Sequence, residues 1–211
     1  TLLRSIAGTR GASSRAGAES TLSVWDDQLA AHGASLLFGR LSLLNEISGL
    51  VSPAYEHVAP GKSAGIAYLP RSFSDIPSED SLPRDRHALE ELLHKEIALR
   101  RSEEFARGVT VVGPHRDDVL LTIGELPAKA YASHGECWSM ALALRLAAFE
   151  LMRALDDSVG DPVLILDDVF AELDPTRRKA LAQVAMTAEQ TIITAAVAEV
   201  AHAHGLPLII D

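Results

Sequence analysis

Apolar positions recur at helical spacing through the first part of the chain, at Leu22, Trp25, Leu29, Leu37, Leu41, Leu44 and Ile47. This period predicts an amphipathic helix whose stripe packs into a core. Gly33 and Gly39 weaken that helix, and Pro53 is expected to end it. Residues 1–20, rich in Gly, Ala, Ser and Arg, have no such pattern and predict a flexible segment or frayed helix end. Gly65 to Leu69 reads as a strand, and Pro70 to Pro83 as a Ser/Pro/Asp loop. Helical spacing returns from about Pro83 to Phe105, with Leu89, Leu92, Leu93, Ile97 and Leu99 apolar. The two helices are expected to form an antiparallel arm over residues 21–106.

The pattern changes after residue 107. Val109–Val112 and Val119–Ile123 read as strands around a turn at Gly113–Asp118. Met140 to Leu155 has little polar face, which predicts a helix buried between a sheet and other elements. Pro162-Val163-Leu164-Ile165-Leu166 reads as a fully buried parallel strand. Asp174 as N-cap and Pro175 at the first helical position open another helix. Thr191–Ala195, a short helix and Leu206–Ile210 complete the alternation. Strand–helix–strand order predicts right-handed crossovers and a parallel α/β sheet over residues 107–211.

Two places in this half carry chemistry. Asp167 and Asp168 stand at the carboxyl end of the apolar strand, where α/β sheets bind ligands. Carboxylates against an apolar sheet need a cation or hydrogen bonds in compensation, although a strand ending in solvated acids is the bland reading. Upstream, Ser133-His134-Gly135-Glu136 precedes the long apolar helix. Ser133 and Glu136 have capping-box spacing, which explains both residues structurally. Gly135 is not explained this way, since glycine weakens a first turn; it leaves room for a phosphate to approach the helix N-terminus.

Composition narrows the class. The 211 residues are 47% hydrophobic, enough for a substantial core. No stretch could span a membrane, no signal peptide is present, and the single cysteine, Cys137, fits a reducing compartment, so a cytoplasmic chain is expected. Cys137 reads as a buried or partly buried structural thiol. No Cys/His set has zinc spacing, and His202 and His204 read as a solvated helix end. A net charge of −10 argues against a DNA-binding surface spread over the chain. Arg84, Arg86, Lys95, Arg100, Arg101 and Arg107 alternate with Asp85, Glu90, Glu91, Glu96, Glu103 and Glu104, which reads first as a solvated helix face with ion pairs.

In combination these motifs resemble a known family. Ser133-His134-Gly135-Glu136 resembles the signature of ABC-type ATPases, Leu164-Ile165-Leu166-Asp167-Asp168 their Walker B strand, and Ala171-Glu172-Leu173-Asp174 their D-loop. The spellings are similar to those of the RecF family of bacterial gap repair. Gly113-Pro114-His115-Arg116-Asp117-Asp118 is similar to a motif that RecF carries upstream of its signature, and Val24-Trp25-Asp26-Asp27-Gln28-Leu29 to the start of its helical arm. Gln190-Thr191-Ile192-Ile193-Thr194 resembles the last head strand with its switch residue. The resemblance covers about residues 20 to 211. It implies the C-terminal part of an ABC-type head, a parallel sheet with flanking helices, joined to a mainly helical arm.

The resemblance also implies a mechanism. Asp167 would orient Mg²⁺, directly or through its waters. Asp168 would hold or deprotonate the attacking water, with Asp in place of the superfamily's usual Glu. Ser133, Gly135 and Glu136 would form the signature that meets the γ-phosphate of ATP held by a second subunit. Asp174 would lie across that interface and Thr194 near the γ-phosphate. An ATP-dependent homodimer on DNA at single-strand gaps is implied, with slow hydrolysis, with RecO and RecR as partners in loading RecA, and with roles in replication, recombination and the SOS response. The face that contacts DNA is not indicated.

One part of such an ATPase is missing from the sequence. Gly61-Lys62-Ser63 imitates the end of a phosphate loop, but Glu56 stands where the required earlier glycine would be, and no apolar strand leads into Gly61. With Thr1 in place of a methionine, the simplest account is the C-terminal portion of a longer protein, inactive alone, whose ATPase activity needs the full-length dimer. Two rivals stay open. A chromosome-organising or nuclease-linked head would carry much longer coiled coils than this helical stretch. A non-catalytic interaction module would retain the head motifs as structure only.

Overall fold

The computed structural model describes residues 3–4, 12–155 and 160–194, with the side chains of 12–20, 155, 171 and 172 left aside. In order, the elements are α1 (Ala12–Val58), β1 (Ala64–Leu69), α2 (Arg86–Leu99), α3 (Arg101–Arg107), β2 (Asp118–Ile123), β3 (Leu126–Pro127), α4 (Ala128–Tyr131), α5 (His134–Leu155), β4 (Leu164–Asp167), α6 (Pro175–Thr187) and β5 (Thr191–Thr194). Short 3₁₀ turns lie at Glu79–Ser81 and Val169–Glu172. The expected short helix and strand near Leu206–Ile210, and His202 and His204, lie outside the described residues. The α/β class is observed.

The chain divides into two compact units, residues 1–45 with 67–120 and residues 46–66 with 121–211. The boundary expected at 106/107 falls inside the first of them.

In the first unit, α1 buries Leu22, Leu37, Leu41 and Leu44 of the predicted stripe, with Ala30 and Ala34 beside them, but Trp25 stays 64% exposed. Gly33 has a packing reason: a Cβ there would lie 3.1 Å from Leu93 Cδ1 and 3.3 Å from Pro114 Cδ. The expected single helix to Phe105 is broken at Arg100, whose φ of −97° and ψ of 12° leave the helical region between α2 and α3. The charged face expected to be solvated is partly buried. Glu96 and Glu104 are 7% and 1% exposed. Each accepts from loop donors: Ser74 donates its amide and hydroxyl to Glu96 Oε1, and the Val111 amide donates to Glu104 Oε1 at 2.9 Å. That last bond also explains why Val109–Val112 is irregular rather than a strand, since its backbone is satisfied by a side chain. Arg101 pairs with Glu104 at 2.9 Å and with Asp26, so these charges are structural.

In the second unit, α1 does not stop at Pro53 but continues to Val58. A helical proline clashes with the carbonyl four residues earlier and lacks its own donor. Here burial outweighs that cost, because Val51, Tyr55 and Val58 are each at most 1% exposed. Val58 joins a core with Leu142, Leu146 and Phe149 of α5, Leu164 and Leu166 of β4, Phe170, Leu173, and Leu181, Ala182 and Ala185 of α6. β4 and β5 are parallel, with Leu164 opposite Thr191 and Asp167 opposite Thr194. The expected burial of both strand faces holds for one only, since Ile165 is 64% and Ile192 46% exposed. α5 likewise buries Met140, Leu142, Ala143, Leu146, Ala147 and Phe149 but leaves Trp138 and Met152 out. Cys137, in the first turn of α5, is exposed, against the expectation of a buried or partly buried thiol.

Candidate functional site

The acid pair lies at the carboxyl end of β4, and register brings Thr194 beside it. Thr194 donates its hydroxyl to Asp167 Oδ1. Thr194 Oγ1 in turn accepts the Asp168 amide at 3.1 Å, and the Thr194 carbonyl accepts that amide at 3.2 Å. β4 ends because Asp168 turns into the left-handed region, φ 50° and ψ 18°. It is the only non-glycine residue with positive φ among the described residues. Asp tolerates this region better than most residues. Both consecutive carboxylates are exposed.

The second group is the first turn of α5. Ser133 donates its amide and its hydroxyl to Glu136 Oε2, each at 2.8 Å, and the Glu136 amide donates to Ser133 Oγ at 3.3 Å. This is the reciprocal capping box that the spacing predicts. Glu136 Oε1 meets Lys62 Nζ at 2.6 Å. The Lys62 hydrogen bond, and then the Ser133 donors, hold the Glu136 carboxyl down to about 2. The same pairing raises Lys62.

Asp174 opens α6 as expected, accepting the Thr176 and Arg177 amides at 3.0 and 3.1 Å. Those amide bonds, the Arg177 one first, and the Arg177 charge hold its carboxyl below the usual range. Arg177 Nη1 donates to Asp174 Oδ2 at 2.7 Å, and it lies 3.4 Å from where a Gly135 Cβ would stand. Arg177 thus lies against the open backbone at Gly135 while it grips Asp174. The structure therefore groups Ser133, Gly135 and Glu136 with Asp174 on one side, and Asp167 and Asp168 with Thr194 on another.

Two residues here were missed from sequence. Lys62 had been set aside with the imitation phosphate loop. Arg177 gave a usable signal, its i,i+3 spacing from a helix N-cap acid.

The oxygen donors at β4 and β5 suit a hard cation such as magnesium, which takes one or two carboxylates and keeps several waters. Asp167 is exposed, and among the described residues the Thr194 hydroxyl is the partner of its Oδ1. Among the described residues no cluster of three acidic, His or Cys side chains could hold a metal unaided. Nor is any helix there long and apolar enough to cross a membrane.

No family model matches the chain. Among curated proteins it is 54% identical over 187 residues to the DNA replication and repair protein RecF of Rhodococcus erythropolis (strain PR4 / NBRC 100887), which covers 85% of this chain and 45% of that protein. Two solved structures of "the recombination mediator protein" in the "RecFOR pathway" share its fold. One, RecF-ATPrS, has a TM-score of 0.73 at 24% identity over 94% of this chain and 49% of its own. The other, RecF-ATP, has a TM-score of 0.70 at 25% identity over the same shares. The chain spans about half the length of the relatives it matches. The resemblance to RecF read from the motifs is borne out over most of the chain.

Proposed function

From the premise that the chain is RecF-like over 85% of its length, we propose that it forms the part of an ATP-dependent DNA repair protein that carries the signature, the acid pair and the switch. The observation that carries this reading is the meeting of Asp167, Asp168 and Thr194 at the carboxyl ends of a parallel strand pair. There an α/β sheet binds its ligand.

In this reading Asp167 is the carboxylate for Mg²⁺, and magnesium, when bound, neutralises charge on the nucleotide phosphates. Asp168 holds the attacking water and takes its proton. Its side chain is one methylene shorter than the Glu usual in the superfamily, so the water is held less well and hydrolysis is slow. Thr194 fixes the acid pair from β5. Ser133 and Gly135 meet the γ-phosphate of ATP on a second subunit, with Asp174 across that interface. ATP closes a homodimer on gapped DNA and hydrolysis releases it. RecO and RecR are the partners this reading assigns. The phosphate loop is supplied by the half of the relatives that this chain does not match.

The test has two arms. The chain alone binds Mg-ATP weakly or not at all in calorimetry, because the amides and lysine of a phosphate loop make most phosphate contacts. Completed with the remaining half of the Rhodococcus relative, it hydrolyses ATP slowly and faster with DNA. Tight binding by the chain alone would overturn the placement of the phosphate contacts outside it, and a folded completed protein without turnover would favour a non-catalytic module.

A further inference from the structure

The turn between α1 and β1 has no part in the reading above, yet it is held at both ends. Gly61, at φ +97°, donates its amide to Glu56 Oε1 at 3.0 Å. On the other side the Ser63 carbonyl accepts the Gly124 amide at 2.8 Å. Lys62 stands between these two fastenings, and its Nζ reaches Glu136 Oε1 at 2.6 Å. The other Glu136 oxygen, Oε2, takes both the amide and the hydroxyl of Ser133. One carboxylate thus divides itself between a lysine from the turn and the serine that opens α5. Lysine is 60% exposed at the side chain and glutamate 21%, so the acid is the shielded partner.

We propose that Lys62 is a positioning residue for the Ser133 turn: it neutralises and holds Glu136, so that Ser133 can offer its hydroxyl to an anionic phosphate brought by a second copy of the protein. The proposal rests on the ATP-bridged dimer proposed above. A serine hydroxyl has one proton, and here Ser133 gives it to Glu136. An incoming phosphate must win that proton while approaching a carboxylate of like charge. Held down to about 2, Glu136 stays ionised at any pH where the protein would act, so protonation cannot relieve the repulsion. A fixed counter-charge can. Lys62 and Ser133 act on Glu136 directly, and Tyr55 of α1 feels Glu136, Lys62, Arg177 and Cys137. Arg177 is committed to Asp174, which leaves Lys62 as the cation paired with this acid.

The competing account is an exposed ion pair that only pins the turn, and such pairs contribute little. Charge rescue separates the two. In the 211-residue chain, Lys62→Met should leave helix content and melting temperature nearly unchanged. In the completed protein, Lys62→Met should raise the ATP concentration for half-maximal dimerisation roughly tenfold, as expected for loss of one close charge pair. Lys62→Arg should keep most of the wild-type response. Glu136→Gln retains the capping box without the charge, so the Lys62→Met/Glu136→Gln protein should return to within about threefold of wild type. Dimerisation of Lys62→Met at wild-type ATP concentrations, or a double variant no better than the single one, would overturn the proposal. A folded completed wild-type protein that never dimerises with ATP would bring down the underlying reading, and this proposal with it.

Discussion

Thr194 engages both acids at the end of β4 through one oxygen, donating its hydroxyl to Asp167 Oδ1 and accepting the Asp168 amide at 3.1 Å. Parallel pairing puts Asp167 directly opposite Thr194. The contact therefore comes from register and not from loop flexibility. Thr194→Val keeps the shape and removes both roles, and should cost about 0.5–1.5 kcal/mol, the usual worth of a hydrogen bond. Thr194→Ser should stay near wild type. Urea denaturation of the chain checks this, and equal midpoints for Val and Ser would refute the shared-oxygen role.

Asp168 allows backbone and chemical roles to be separated. At φ 50° its conformation suits Asn or Gly and opposes a β-branched residue. Asp168→Asn should fold as well as wild type, while Asp168→Val should lose on the order of 1–2 kcal/mol. In the completed protein Asp168→Asn should retain ATP-dependent dimerisation and lose turnover by on the order of a hundredfold or more, as for a missing general base. Turnover within a few-fold of wild type would remove Asp168 from that role.

These two residues also show what a sequence discloses. The apolar run Leu164–Leu166 and the acids after it were legible, because strand patterning and strand-end acids are local signals. The capping box and the Asp174 cap were legible for the same reason. What failed depended on partners distant in sequence. Pro53 stays inside α1 because Val51, Tyr55 and Val58 are buried, and Glu96 and Glu104 face inward because irregular loops outside their own helices need acceptors. Lys62 reads in sequence only as part of an imitation motif, since its partner Glu136 lies 74 residues away.

Asp117 plays the same loop-holding part in the Gly113–Asp118 turn. Its Oδ1 accepts the amide and hydroxyl of Ser72 at 2.8 and 2.5 Å, and its Oδ2 accepts the Tyr68 hydroxyl at 2.8 Å. Ser72 is fully buried, so no water would replace the lost acceptor. Burial first, then the nearby Asp117 carboxylate, raises Tyr68, which stays protonated and able to donate. Asp117→Ala should cost about 2–4 kcal/mol, for an orphaned buried amide plus lost partners. Asp117→Asn keeps an acceptor for Ser72 and should cost less than half of that. Thermal melts of the pair decide it, and equal losses would show that packing alone accounts for the effect.

Acid should weaken the second unit through its helix caps. Glu136 is lowered by Lys62 and the Ser133 donors, and Asp174 by the Arg177 amide and charge. A carboxyl whose folded pKa is depressed contributes stability that is fully present above its unfolded value and is lost as pH falls through the folded one. For Glu136 that window runs from 4.5 down to about 2. The stability difference between wild type and Glu136→Gln should be constant from pH 7 to about 5.5 and shrink as pH drops toward 3. Urea midpoints at each pH measure it, and a difference that widened with acid would contradict the assignment.

Ser133 is where capping and phosphate contact make opposite demands. As a cap its hydroxyl accepts the Glu136 amide at 3.3 Å, and Ser133→Ala should cost about 1 kcal/mol in the 211-residue chain. Asp is an equally good N-cap residue. It would nevertheless stand beside Glu136 Oε2, which now accepts from Ser133 at 2.8 Å, so two carboxylates would compete for the same donors. Ser133→Asp should therefore recover only part of the melting temperature lost in Ser133→Ala. In the completed protein the order should reverse. Asp brings a second negative charge toward a polyphosphate, whereas Ala only removes one donor, so ATP-dependent dimerisation should fall further for Ser133→Asp than for Ser133→Ala. Melting temperature and dimer fraction with ATP are measured on both variants. A Ser133→Asp protein that dimerises with ATP as well as wild type would leave Ser133 as a helix cap and nothing more.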